Sequence, residues 1–208
     1  MSEIFLTGDL HMDHANSIGH SARPFQTVDE MNEALVKNWN GMVSVKDTVY
    51  IHGDFAWKNH THWIAALNGK KVLIRGNHDK MPDVALKQFS EVHDVLWKVF
   101  YGRYMFWMSH YAHRVWRNSC HGSWHTYGHS HASMPEEPWR LACDVGVDAW
   151  DYQPVHVDII IKKLLARAEK AAGEEHRYRT EEEFALARRT LQEENRKWRT
   201  GSNDPQVI

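Results

Sequence analysis

The sequence predicts an α/β protein organised on a parallel sheet, and three observations predict it. Apolar, β-branched runs recur early in the chain and stop at Gly plus a polar pair; helical patterns fill the gaps; the polar pairs are drawn from His, Asp and Asn. Strand, helix, strand returns the chain to the same end of a sheet, so the runs pair in parallel and their polar ends gather on one edge.

The first strand is "EIFLTGDLH" (3–11), apolar at consecutive positions as a strand buried on both faces must be. A helix follows in "TVDEMNEALVKNWNGMV" (27–43). Thr27 with Glu30 makes a capping box, and Val28, Met31, Leu35 and Trp39 share one face. "TVYIHGDF" (48–55) is the second strand, "NHTHWIAALNG" (59–69) a short helix closed by Gly69, and "KVLIRGNHD" (71–79) the third strand. After a short helix from Pro82 to about Phe89 the pattern changes. "VLWKVFYG", "RYMFWMSH", "SWHTYGHSH" and "WRLACDVGV" are strand-like runs separated by Gly or polar turns, which predicts a second, largely antiparallel set. The end is helical, first in "DIIIKKLLARAEKAAG" and then in "TEEEFALARRTLQEENRKWR". In the latter Thr180 and Glu183 form another capping box, and Phe184, Leu191 and Trp198 make a narrow apolar seam.

A chain of 208 residues, 42% hydrophobic, can bury one substantial core. We read 1–160 as a single domain, 161–200 as a helical extension packed on it or on a partner, and 201–208 as a loose tail. A homo-oligomer joined through the seam of the last helix is the alternative to packing it at home. The net charge of −2 leaves no basic footprint, which counts against long nucleic acid as the partner. Only Cys120 and Cys143 are present and no charged-then-apolar leader opens the chain, which predicts a reducing, cytoplasmic setting. No apolar run approaches the roughly 18 residues of a membrane span.

The polar ends carry the chemistry. Asp9 and His11, Asp54, and Asn77 with His78 close the first three strands, while His110 and then His129 with His131 close two later ones. One zinc ion takes about four protein ligands, and this set exceeds that. The count therefore predicts two ions, roughly 3.5–4 Å apart, with a carboxylate between them. Oxygen and imidazole donors without thiolate favour manganese, iron or zinc over soft-metal chemistry.

Taken in order, "GDLH", "GDF", "GNHD", "SH" and "GHSH" resemble the calcineurin-like metallophosphoesterases; "RPFQTVDEMNEALVKNWN" and "CDVGVDAWDYQPV" are similar to small bacterial and phage members. The resemblance implies a four-layer α/β/β/α sandwich with C-terminal helices and a dinuclear centre at its rim, manganese being the favoured ion. It implies that Asp9, His11 and His131 hold one metal, that Asn77, His110 and His129 hold the other, and that Asp54 bridges both. His78 would be the proton donor to the leaving oxygen, after in-line attack by a bridging hydroxide. Many members carry a further Asp three residues beyond the Asp of Gly-Asp to steady that histidine. Here "GDFAW" places Trp57 there, which leaves Asp79 as the nearest candidate to orient His78, unless it caps the helix from Pro82.

The implied function is metal-dependent hydrolysis of a phosphate ester, most readily a small or nucleotide-like diester. A phosphomonoesterase or a nuclease would use the same centre, and a non-catalytic scaffold would have no need of the full set. His14, His20, His60, His62, His113 and His125 are read as surface or packing residues and His52 as core. Arg23, Arg75 and Arg114 are read as solvated or ion-paired, and the Trp-rich stretch 111–125 as packing more than as a wall for a ring.

Overall fold

A computed structural model describes residues 2–135, 137 and 140–173, with side chains through 168. The expectations for the helix at 180–199, its seam and the tail lie outside the described residues.

The first sheet has the order β4-β3-β2-β1-β9. Its strands are β1 (Ile4–Thr7), β2 (Thr48–Ile51), β3 (Lys70–Ile74), β4 (Glu91–His93) and β9 (Val155–His156). β1 to β4 pair in parallel, Ile4 opposite Thr48 and Thr48 opposite Lys70, while β9 runs antiparallel to β1. Alternate side chains divide between two cores. Phe5, Val49, Ile51 and Leu73 pack on the helices, whereas Leu6, Tyr50, Val72 and Ile74 meet the second sheet. That division is why the strands read as unbroken apolar runs.

Helices α1 (Ala15–His20), α2 (Val28–Met42), α3 (His60–Ala66) and α4 (Asp83–Leu86) follow β1, β2 and β3 along the chain. α2 starts where its capping box places it: Thr27 Oγ1 accepts from the Glu30 amide at 3.1 Å, and Glu30 in turn accepts from the Gln26 amide. Its Met31, Leu35 and Trp39 are buried, and the Trp39 indole N–H donates to the Asn68 carbonyl. α1 has no apolar periodicity to announce it, and sequence reasoning missed it.

The second sheet has the order β5-β6-β7-β8: β5 (Val95–Phe100), β6 (Tyr104–Ser109), β7 (Trp124–Tyr127) and β8 (Ala142–Asp144). The expectation of a largely antiparallel set is corrected here. Only β5 and β6 are antiparallel, joined by a tight turn through Tyr101 and Gly102 at positive φ; β6–β7 and β7–β8 are parallel. The reason lies in the connections, because 110–123 and 128–141 are long enough to carry the chain back along the sheet, as parallel pairing requires.

The described residues thus form a mixed α/β fold with two mostly parallel sheets flanked by helices. The inter-sheet core also takes Val157, Ile160, Ile161 and Leu164 of α5 (Val157–Gly173), so the boundary expected after 160 falls inside a helix whose first turns belong to the core. On the far side of the second sheet the 110–123 connection packs. Trp116 tilts over His125 with ring centroids 5.2 Å apart, and the His113 amide donates to His125 Nε2. His52 ties the sheets together as a core residue: Nδ1–H donates to the Thr7 carbonyl and Nε2 accepts from Thr126 Oγ1 at 2.8 Å. Burial pushes its pKa down to about 3, so it remains neutral. Among the described residues no helix is long and apolar enough to cross a membrane.

Candidate metal centre

Parallel pairing continues past the strand ends and builds the floor of the site. The amides of Asp9, His11 and Met12 donate to the carbonyls of Gly53, Asp54 and Phe55, and the Trp57 amide donates back to Met12. Five of the candidate ligands sit at positive φ: Asp9 (54°), His11 (53°), Asp54 (53°), His129 (64°) and His131 (47°). Each such residue costs on the order of 1 kcal/mol, and strain of this kind collects where structure is held for function.

All seven expected ligands come together. One group is Asp9, His11 and His131, with ligand atoms within 4.8 Å of one another; the other is Asp54, His110 and His129. Asn77 joins the second, its Oδ1 lying 2.9 Å from His110 Nε2. Asp54 stands between the groups. Its Oδ2 is 3.5 Å from His11 Nε2 and 3.5 Å from His110 Nε2, the place a bridging carboxylate would take. Gly76 makes this approach sterically feasible, because a Cβ there would fall on Asp54 Oδ1.

The donor set fits cations. His110 Nδ1–H donates to the His52 carbonyl at 2.7 Å, which leaves Nε2 bare. That bare nitrogen faces Asn77 Oδ1, Asp54 Oδ2 and His129 Nδ1 at 2.9, 3.5 and 3.1 Å. Its lone pair converges with those of the two oxygens, and such lone pairs repel unless a cation sits among them. In the other group Asp9 Oδ2 and His11 Nε2 are buried without any hydrogen bond. Burial pushes the Asp9 carboxyl well above its usual range and drives His11 down to about 2, His131 adding to the latter. A buried carboxylate and a neutral imidazole, both with lone pairs unspent, are what a metal ion asks for.

Asp79 does something other than expected. Its carboxylate accepts from the amides of Asp54, Phe55 and Gly76 at 2.8, 2.9 and 2.7 Å, so its oxygens are spent on the backbone and none reaches the His78 ring. Nor does it cap α4, which begins after Pro82 without a side-chain cap. Asp79 clamps the 76–79 turn onto the 53–55 turn, and burial holds its pKa up against those bonds. Asp79→Ala strips three amides of their acceptor, and we expect a loss of about 3 kcal/mol in urea unfolding.

His78 itself is half-buried. Its amide donates to Asp54 Oδ1 at 2.9 Å, and its ring lies 5.4 Å from His11, 5.6 Å from His14 and 5.6 Å from Trp57, centroid to centroid. Among the described residues, other rings stand beside the His78 imidazole and no carboxylate is hydrogen-bonded to it.

Three contributors carried no role in the sequence reading. Asp148 accepts from His131 Nδ1–H at 2.7 Å and from Arg23 Nε and Nη2, each at 2.8 Å. Burial raises its pKa, but the bonds from His131 and Arg23 outweigh this and hold it below the usual range. Arg23, 4% exposed, also donates to the Asp9 and Leu10 carbonyls; it is ion-paired as expected and buried, not solvated. Tyr111, 49% exposed, donates from its hydroxyl to Asn77 Oδ1 and lays its ring 4.6 Å from that of His129. His14 is the third. "CDVGVDAWDYQPV" holds Asp148, so the segment was visible in sequence while its contact with His131 was not.

A cavity of about 490 Å³ opens onto the two groups, lined by His11, His14, His20, Asp54, His78 and His131 together with serines. Among the described residues that line it there is no Lys or Arg.

No protein-family profile matches the chain. It is 37% identical over 174 residues to the uncharacterized protein MJ1445 of Methanocaldococcus jannaschii, covering 79% of this chain and 92% of that protein. It is 28% identical over 185 residues to the Gene 66 protein of Mycobacterium phage L5, covering 72% of this chain and 88% of that one. A solved structure, the protein of unknown function AQ665 from Aquifex aeolicus, superposes with a TM-score of 0.63 at 21% identity, over 78% of this chain and 99% of the other, a likeness of fold.

Proposed function

We propose, for a chain that belongs to the same family as MJ1445 of Methanocaldococcus jannaschii, that the centre holds two divalent cations and hydrolyses phosphate esters. In this reading the chain is a metallophosphoesterase of the calcineurin-like kind, and its two facing sheets are the middle layers of a four-layer sandwich. The observation that carries it is Asp54 Oδ2, equidistant from a histidine of each group. Asp9, His11 and His131 would hold one ion and Asn77, His110 and His129 the other, manganese being favoured and iron or zinc also compatible with these donors. Such a pair of cations supplies positive charge to the phosphoryl oxygens and lowers the pKa of a coordinated water.

The protein's own groups then do the rest. Asp54 Oδ1 fixes the His78 backbone. His78 faces the cavity near both groups and donates a proton to the leaving oxygen, a contribution worth on the order of 10²–10⁴ in rate. The described lining residues, none of them Lys or Arg, favour a singly charged diester over a doubly charged monoester, which would want further cationic partners. It also counts against long nucleic acid, whose affinity comes from phosphate contacts by basic side chains. The cavity volume suits a small or nucleotide-like ester. Cys120 is exposed and Cys143 buried, with no disulfide between them, and we place the protein in a reducing, cytoplasmic setting.

Metal-loaded protein is expected to hydrolyse bis(p-nitrophenyl) phosphate faster than p-nitrophenyl phosphate. The reverse ranking would replace the diesterase by a monoesterase, and inactivity on both would remove the enzyme. Asp148→Asn, which loses the charge that steadies His131, is expected to weaken one ion position by about 10–100-fold in a metal titration.

A further inference from the structure

His14 stands outside the ligand set, yet the centre holds it closely. Its Nδ1 lies 3.1 Å from Nδ1 of His11, and its ring stacks on Trp57 with centroids 4.5 Å apart and planes 9° from parallel. Its other neighbour is the His78 ring, across the mouth of the cavity that both line. The segment is anchored from behind. Asp13 Oδ2 accepts from Asn59 and from the Trp63 indole, and Oδ1 accepts from Asn32, so helices α2 and α3 fix the residue before His14.

Two imidazole nitrogens this close share one proton, and the far side of each ring decides which holds it. Nε2 of His11 is buried, unbonded and turned toward Asp54. As an ion ligand it is bare, so the proton of His11 sits on Nδ1 and is donated to His14. His14 then accepts at Nδ1 and, as a neutral imidazole, keeps its own proton on Nε2. The companions of His11 are served differently: His131 donates to the Asp148 carboxylate and His110 to the His52 carbonyl, groups that accept and pass nothing on. An imidazole in this place transmits the polarity of the ion site into the cavity.

We propose that His14 is a positioning residue of the Asp9–His11–His131 ion position: it fixes His11 in the coordinating tautomer, and the same bond fixes His14 as an Nε2–H donor facing the substrate. The proposal rests on the two-cation reading above and does not depend on which ester is cleaved. His14→Phe keeps a flat ring on Trp57 and removes the acceptor; His14→Gln restores an acceptor as a side-chain carbonyl. Full-length, metal-free protein is titrated with Zn²⁺. Wild type is expected to take two equivalents, His14→Phe to bind one of them about 10–100-fold more weakly, and His14→Gln to recover most of the loss. Wild-type affinity for both equivalents in His14→Phe, or no recovery in His14→Gln, overturns the proposal.

A second measurement needs no substitution and stands if His14→Phe does not fold. In zinc-loaded wild type, ¹⁵N resonances of the imidazoles are expected to show His11 protonated at Nδ1 and His14 protonated at Nε2 only. A proton on Nδ1 of His14 overturns it. Two bound zinc equivalents without ester hydrolysis would end the phosphoesterase reading and leave this one standing. An indifferent His14→Phe would do the opposite.

Discussion

Asp54→Asn is expected to disable both halves of the centre, with metal content falling below one equivalent and diester hydrolysis down by at least about 10³-fold. The magnitude follows from the several kcal/mol that metal charge supplies to such reactions, tenfold for each 1.36 kcal/mol. The cause is geometric. Oδ2 faces the bare nitrogens of His11 and His110 while Oδ1 accepts the His78 amide, so both oxygens are used as acceptors. A side-chain amide has one acceptor and one donor. Whichever way the introduced amide turns, its NH₂ either meets the His78 N–H or replaces the shared ligand atom. His11→Ala is the comparison, because it touches one group only and should leave about one equivalent bound. Elemental analysis with hydrolysis rates on the same preparations checks both, and a variant at position 54 that keeps two equivalents contradicts the bridging role.

His78→Ala is expected to separate binding from turnover. Both equivalents should remain, since the ring touches neither group through a hydrogen bond and the amide bond to Asp54 survives the substitution. Turnover should fall by about 10²–10⁴ for esters with poor leaving groups and much less for p-nitrophenyl esters, whose phenolate departs with little protonation. A leaving-group series measures this directly, the variant showing the steeper dependence. An equal loss across the series would take the proton-donor role from His78 and leave it a binding residue.

Much of this centre could be read from residues alone, for a physical reason. A strand buried on both faces announces itself as an apolar run, and polar side chains crowded at its end have no packing role to explain them. So "EIFLTGDLH", "TVYIHGDF" and "KVLIRGNHD" marked both the sheet and three corners of the candidate site. The direction of β7 and β8 could not be read, because it depends on where the connections 110–123 and 128–141 lead the chain. Asp148 was missed because its partners, Arg23 and His131, come from other parts of the chain. Asp79 was misread for the opposite reason: proximity in sequence to His78 promised a contact, while its carboxylate turned to the backbone of a different strand end. His14 was read as a surface or packing residue, and it does pack, on Trp57; the 3.1 Å approach to His11 had no signal in the sequence.

In the proposed reaction two ions act together. Metal-free full-length protein, titrated with Mn²⁺ while bis(p-nitrophenyl) phosphate hydrolysis is followed, tests it most directly. The expected result is a rate that rises steeply only as the second equivalent binds and is abolished by chelation. Full activity at one equivalent, or none with two bound, would show that the ions do not act as a pair.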